Sequence, residues 1–556
     1  HRAGETTLTK GTLTPDYLGH FGNWRYGWIL WDFNYANIKN VNTLLGGIDN
    51  VPISSVSDED KISQIKAEAH FIRAFNYTNL LRSYGGVVLV DKIFSLTDDF
   101  SQWERASIDE TVEFILKDID KALEGLPVIN EVMGRATKGA AAALKSRLLS
   151  FSSGELCNGG FEPTNELVSF QGGDRTQRLT AAKNIAKDII DGKYGDYGLV
   201  GTTDDPPVNM TEEEVMAYAD NYSSIFLQKG SLNKEVLFGV LYKARQGNYI
   251  RTNLHWGPNG YNCWGNNEPT EPVVRQFEMK DGTPFIWDNY NPGEQNIREF
   301  TQAQIQADPE LNPFVGREPR FYANVLFDKA PWRDRPSTNN EIQIGSRVNA
   351  PGAGLLGKGT VSEKIAKVTN LASVTIGGDD SRQARNQAWN GTKTGYYLRK
   401  MVDITLDGEI NDNENAWIEF RYAEVLLDYA EACIELGEIE EGLIAINEIR
   451  NRAGLPDRPT TVNQNQAREW YRHERLIEML AEGDRWYMIR KWMICDDVIK
   501  DFHPMYIYHF NDGSSMYIYN TITLADARSW EDKNYWLPIS RTERNKAPQL
   551  KQNPKY

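Results

Sequence analysis

The chain has 556 residues, of which 40% are hydrophobic and 25% charged, an ordinary composition for a folded protein able to bury a large core. A net charge of -16 argues against a nucleic-acid partner, whose phosphates call for a basic surface, and gives no reason for direct adsorption to anionic lipid. No run of 18 apolar residues exists to cross a membrane as a helix, and no secretory leader is visible from His1 onward.

In chain order, residues 1–23 read as irregular. From Trp24 the positions Trp24, Trp28, Trp31, Tyr35, Ile38 and Leu45 fall at helical spacing, a stripe that suits a core face. Tyr17, Phe21, Arg25 and Tyr26 lie before or off that stripe and are freer to face a ligand. A second helix is expected over about Asp58 to Ser83, with Ala67 and Ala74 alternating with Phe71, Phe75 and Tyr77 as in tightly interdigitated hairpins, and Gly85-Gly86 as its stop. His70 falls on that packed face and reads as a core or hydrogen-bonded histidine. Further helices are expected over Ile108 to Leu123, Ala136 to Phe151 and Thr180 to Asp191. Helical hairpins recurring along a chain suggest a solenoid of tetratricopeptide type, with degenerate repeats.

From about Glu235 to Asn415 the character changes. Gly, Pro, Asn and aromatics are dense, and the stretch is too long for a structureless loop, so short helices, small strands and long ordered loops are expected. Gly352-Ala353-Gly354-Leu355-Leu356-Gly357-Lys358 satisfies GxGxxG, but residue 359 is Gly where a phosphate loop needs a hydroxyl, and no buried strand precedes it; it reads as a loop. From Trp417 the positions Trp417, Phe420, Val425, Tyr429, Ala432 and Leu436 form a helical face closed by Gly437; Leu443, Ile446 and Ile449 begin its antiparallel partner, and a third helix runs from about Gln466 to Ala481. Arg421, Glu424, Glu431, Arg475 and Glu478 are expected to pair with one another at helix contacts. His503 and His509 lie near a β-hairpin around Asn511-Asp512-Gly513.

Cys157, Cys263, Cys433 and Cys495 show no zinc spacing, and Cys433 sits on an apolar helix face. No HExxH, GxSxG or calcium-loop pattern occurs, so no catalytic residue, metal or cofactor is assigned. What stands out is aromatic surplus in irregular sequence: Tyr249, His255, Trp256, Tyr261, Trp264 and Trp287, interspersed with Asn253, Asn259, Asn262, Asn266 and Asn267. Flat rings cover the C–H face of a sugar, and amides in ordered loops bond its hydroxyls.

RYAEVLLDYAEA, INEIRNRAG, ERLIEMLAEGDRWYMIRKW and the terminal WLPI…NPKY, with AEAHFIRAFNYTNLLRSYGG in the first half and EPTEPVVRQFEMKDG, NPFVGREPRFYANVLFD and GYYLRKMVD in the middle, resemble the SusD/RagB family of glycan-binding outer-membrane lipoproteins. The resemblance implies a mostly α fold: a tetratricopeptide-like helical-hairpin solenoid with a loop-rich cap containing short strands. It implies an N-terminal half over 1–234 and a C-terminal half over 235–556, with the cap at 235–415 and helical hairpins at 416–495, in one compact unit. It implies a non-catalytic cell-surface protein that captures oligosaccharide for a SusC-like TonB-dependent transporter, with an acidic solenoid face as docking surface. The membrane would be reached only through an N-terminal lipid anchor absent from this chain. The site would draw on Tyr17, Trp24, Arg25, Tyr26, Trp256, Tyr261, Trp264 and Trp287. A peptide-binding tetratricopeptide scaffold and a glycoside hydrolase with unrecognised carboxylates are the alternatives.

Overall fold

The computed structural model describes residues 9–18, 29–95, 97–202, 204–243, 250–287, 297–307, 312–332, 341–352, 363, 366, 370, 375–382, 384, 388–406, 413–519 and 528–556. Its described helices of eight residues or more are α1 (Trp31–Gly47), α2 (Val56–Tyr84), α3 (Ile108–Gly125), α4 (Lys138–Ser152), α5 (Arg175–Ile190), α6 (Glu212–Ser224), α7 (Tyr422–Leu436), α8 (Ile439–Arg452), α9 (Gln464–Glu478) and α10 (Asp484–Lys491). Side chains at their N-termini accept the first orphan amides: Ser55 from Asp58, Thr137 from Ala140, Asn463 from Gln466, with full capping boxes at Ser107–Glu110 and Thr211–Glu214. Gly437, at φ +86°, ends α7 in the left-handed conformation that glycine adopts without strain.

The helices form an array of neighbours. α2 packs on α1 and α3, α4 on α3 and α5, and α7, although more than 200 residues further on, packs on α5 and α4 before pairing with α8 and α9. The chain thus leaves the array after α5 and re-enters it at α7. Small residues permit the close approach: Ala140 to Ala143 and Ala74 are buried among Phe71, Tyr77, Leu148 and Phe151. His70 Nδ1 lies 2.8 Å from Asp118, the histidine role expected from its face.

The expected helix start at Trp417 is corrected. Residues Trp417–Arg421 form strand β7, antiparallel to β1 (Val236–Val240), and helix begins only at Tyr422. A segment WIEFR offers apolar positions at both strand and helix spacing, and the partner strand decides between them. In the cap, β2 (Ile297–Phe300), β4 (Ser346–Val348), β5 (Thr375–Ile376), β8 (Tyr506–Phe510) and β9 (Ser515–Ile518) form one sheet in the order β2-β9-β8-β4-β5, while β3 (Val325–Leu326) pairs with β6 (Tyr397–Leu398). The β8–β9 hairpin turns at Asn511-Asp512-Gly513, as its sequence predicts. Array and cap have separate hydrophobic clusters, one around Phe71, Leu144, Leu426 and Trp536, the other around Phe277, Phe321, Tyr396 and Met505.

A buried ion network joins the two. Glu478 at the end of α9 accepts from Arg421 Nη1 at 2.7 Å and Arg320 Nη1 at 3.0 Å and pairs with Arg452. Its backbone carbonyl accepts from Tyr222 Oη at 2.8 Å and Lys400 Nζ at 3.0 Å. Burial works to raise the Glu478 carboxyl, but the Arg452, Arg421 and Arg320 guanidiniums outweigh it and hold the group far below the usual carboxylate range. Of the charges expected to pair with one another, only Arg421 and Glu478 do so. Glu424 pairs with Arg147, Glu431 with Lys491, and Arg475 with Asp428 and Asp484. All five are buried, and most of their partners come from segments distant in sequence.

Candidate functional site

Two cap loops are stapled together. The first, 250–268, runs through the short helix Thr252–Trp256 and doubles back at Asn262, whose φ is +62°. The Trp264 amide donates to Leu254 O and the Asn266 amide to His255 O, each at 2.6 Å, so the strand after the turn lies against the helix before it. The Trp264 ring meets His255 edge-on, centroids 5.1 Å apart, and the Asn266 side-chain amide lies 2.8 Å from His255 Nδ1.

The second loop, of which residues 379–382, 384 and 388–394 are described, supplies the staple. Asp380 Oδ1 accepts from the Gly260 amide at 2.7 Å, and its Oδ2 from the Gln343 amide at 2.8 Å. Glu268 Oε2 accepts from the Lys393 and Thr394 amides at 2.8 and 3.1 Å. Burial pushes the Glu268 carboxyl up to about 7 in spite of those bonds. At Gly265 a Cβ would lie 2.7 Å from the Tyr397 ring and 2.8 Å from Asn390 O, so only glycine allows this approach. The contact sets the first loop against the turn Ala388–Asn390, where Trp389 is 65% exposed, the one exposed tryptophan among the described residues.

The eight sequence-derived site residues are placed unequally. Trp256 and Trp264 are half-buried on the first loop. Tyr261 and Trp287, expected to face ligand, are corrected: both are buried. Tyr261 lies against Trp332 with centroids 5.7 Å apart, while Trp287 stacks on Tyr519 at 4.1 Å and donates from Nε1 to Glu271 at 2.6 Å. Tyr261 anchors the first loop to Trp332, and Trp287, outside both loops, packs in the cap core. Tyr17 is exposed, on a turn held by the C-terminal segment through the Arg541 amide to Pro15 O at 2.9 Å. No hydrogen bond or ring contact among the described residues joins it to either loop. Trp24, Arg25 and Tyr26 lie outside the described residues, as do Phe21, Trp28, Tyr249 and most of the GxGxxG stretch. Sequence reasoning missed Trp389. It stands in SRQARNQAWNG, a polar run without periodicity, and its only signal is a lone tryptophan among amides.

One further constellation invites a catalytic reading. His509 Nδ1 lies 2.8 Å from Ser515 Oγ and Nε2 lies 2.6 Å from Asp328. Ser515 is buried at a cross-strand position of the β8–β9 ladder, and Asp328 already accepts from the Ile344 and Gly345 amides. A buried hydroxyl cannot reach a substrate carbonyl, so the chain of bonds reads as a strap between β8 and the segment before β4. The four cysteines are buried free thiols.

Comparison with known proteins agrees with this architecture. Residues 234–556 match the SusD family, and residues 19–149 match a family described as starch-binding associating with outer membrane. A SusD-like protein of Bacteroides ovatus is 22% identical over 472 residues, which is 83% of this chain and 65% of that protein, so the chain spans less than two thirds of that relative's length. A crystal structure of a SusD-like protein from Bacteroides fragilis superposes with a TM-score of 0.69 at 27% identity, covering 95% of this chain and 85% of the other. A second Bacteroides fragilis structure, of a SusD-like carbohydrate binding protein, gives a TM-score of 0.65 at 20% identity over 99% of this chain and 90% of that one. Since the family match takes in more than half of the sequence and the helical array continues through it, the chain belongs to the SusD family.

Proposed function

We propose that the protein captures oligosaccharide on the paired loops 250–268 and 379–394, without cleaving it, and passes it to a SusC-like TonB-dependent transporter at the outer membrane. The observation that carries this reading is the exposed Trp389, on the turn whose Asn390 carbonyl closes on Gly265, next to a loop that bears the half-buried Trp264 and Trp256 and the exposed Asn262 and Asn267 amides. Rings take sugar faces, amides take hydroxyls, and the Asp380 and Glu268 staples hold the surface before ligand arrives, which lowers the entropy cost of binding. Both staple carboxylates are engaged by backbone amides, which favours binding over acid–base chemistry on the sugar. The segment Tyr17 to Tyr26 is proposed as a second contact for longer chains.

The array also carries exposed apolar side chains. Val51, Ile53 and Val56 precede or open α2, and Ile129, Val132 and Met133 follow α3, whose last residue Gly125 abuts Ala67 of α2. Exposed apolar loop side chains suit burial by a protein partner, and this supports the transporter as partner. The test is a glycan array on the purified protein, followed by chromatographic analysis of the best ligand after incubation. Binding with the ligand intact is the expected result; shorter oligomers whose release is abolished by a single carboxylate substitution would contradict it. Ile129→Glu with Met133→Glu should lower recovery of the transporter in a pull-down.

A further inference from the structure

A second, separate cleft of about 420 Å³ opens between α2, β7 and the turn joining α9 to α10. Asn79 and Arg82 line it from the last turns of α2, three residues apart and therefore on one face. They are only 7% and 4% exposed. Every carboxylate in the lining is paired with a cation other than Arg82: Glu419 and Glu424 with Arg147, Glu482 with Arg421, and Asp484 with Arg475. Arg82 makes no ion pair and no hydrogen bond among the described residues, and its Nε is buried without a partner. Its guanidinium lies 3.5 Å from the Tyr487 ring centroid and 5.6 Å from that of Phe151. Burial lowers its pKa, and the charges of Glu424 and Asp484 reach it only from a distance. The Asn79 carboxamide likewise has no hydrogen bond among the described residues. Phe75 and the half-buried Trp417 supply apolar wall.

A buried cation without a counter-charge is costly, and its neighbours here are all arranged to satisfy other arginines. A group matched to Arg82 would be an anion small enough to enter beside Asn79. Guanidinium takes a carboxylate through paired N–H bonds, the carboxamide takes a hydroxyl, and the indole of Trp417 takes a sugar face. We propose that this cleft is a second ligand site, for the carboxylate of an acidic sugar residue, with Arg82 and Asn79 as its polar contacts. It is independent of the loop site.

Calorimetric titration of the full chain with a glucuronic acid oligosaccharide, with its methyl ester and with benzoate tests this. Expected are saturable binding of the acid, at least tenfold weaker binding of the neutral ester, and no displacement by benzoate. Arg82→Gln should weaken binding of the acid at least tenfold while leaving neutral-glycan binding unchanged, and Trp389→Ala should do the reverse, so that failure of one site is told apart from failure of the other. Equal binding of acid and ester overturns the proposal, as does undiminished binding by both Arg82→Gln and Asn79→Leu. Displacement by benzoate at equal concentration overturns the sugar assignment. If Arg82→Gln does not fold, Asn79→Leu and the ester comparison on the wild-type chain decide the matter alone.

Discussion

Glu478→Gln removes one negative charge from the buried network that joins array to cap. The substituted amide retains the shape and some hydrogen bonding, so the loss is mainly electrostatic. Three guanidiniums lose a counter-charge: Arg421, Arg452 and Arg320. None is left wholly unpaired, because Arg421 keeps Glu235 and Glu482, Arg452 keeps Glu235, and Arg320 keeps Glu318 and Glu474. Removing one partner of a buried pair costs about 3–5 kcal/mol, and the remaining partners place this case near about 3 kcal/mol. An exposed pair such as Lys117–Glu113 should by contrast be worth under about 1 kcal/mol, so Glu113→Gln serves as the control. The pH dependence follows from the lowered Glu478 carboxyl. A depressed folded-state pKa contributes stability that is present above the unfolded value, about 4.3, and is lost as pH falls through the folded one. Wild-type stability should therefore fall from about pH 5 downward, and Glu478→Gln should fall less steeply. Urea denaturation followed by tryptophan fluorescence reads both. A cost no larger than that of Glu113→Gln, with an unchanged acid limb, would refute the argument that this network holds the two parts together.

Three further outcomes follow from the same geometry. Leu426→Ala, at a 1% exposed position of the array core, should cost about 2–5 kcal/mol in denaturant titration, and a value near zero would mean that α7 buries another face. Glu268, raised to about 7, should lower stability as pH rises from about 4.5 through 7, because the folded state holds its proton longer than the unfolded chain. Glu268→Gln should remove that slope, and an identical melting profile across this range would count against the buried-staple account. Trp287→Ala should lower the melting temperature, since it removes the Tyr519 stack and the bond to Glu271; a variant melting as the wild type would show that the ring does not hold the cap core.

The array was largely legible because its helices carry periodic apolar stripes, stops such as Gly437 and Gly85, and small residues opposite large ones. Predicted limits for the helices containing Phe71, Val112 and Ile477 fall within a few residues of those observed. Where two periodicities coincide, as at Trp417 and Phe420, sequence cannot choose, and the choice lies with Val236–Val240 across the sheet. The ion network was misread for a related reason: helical spacing shows that Arg475 and Glu478 share a surface, but not that Asp484, Arg452 and Arg320 arrive to bury it. The candidate site was legible as composition only. A sequence rich in Trp, Tyr and Asn marks the loop, while the division into anchors such as Trp287 and open rings such as Trp389 depends on contacts made across more than 100 residues, Trp287 on Tyr519 and Gly265 against Tyr397 and Asn390.

The most direct test of the account is isothermal titration of the best neutral glycan against wild type, Trp389→Ala and Trp264→Ala, each beside its thermal melt. Trp389 is exposed, so its removal should leave the melt unchanged. Loss of a stacked aromatic anchor should weaken binding by roughly 1–3 kcal/mol in each variant, with long oligomers losing more than short ones. Unchanged affinity in both variants would contradict the assignment of these loops as the glycan-binding surface, and a loss of affinity seen only together with a lowered melting temperature would return both rings to a structural role.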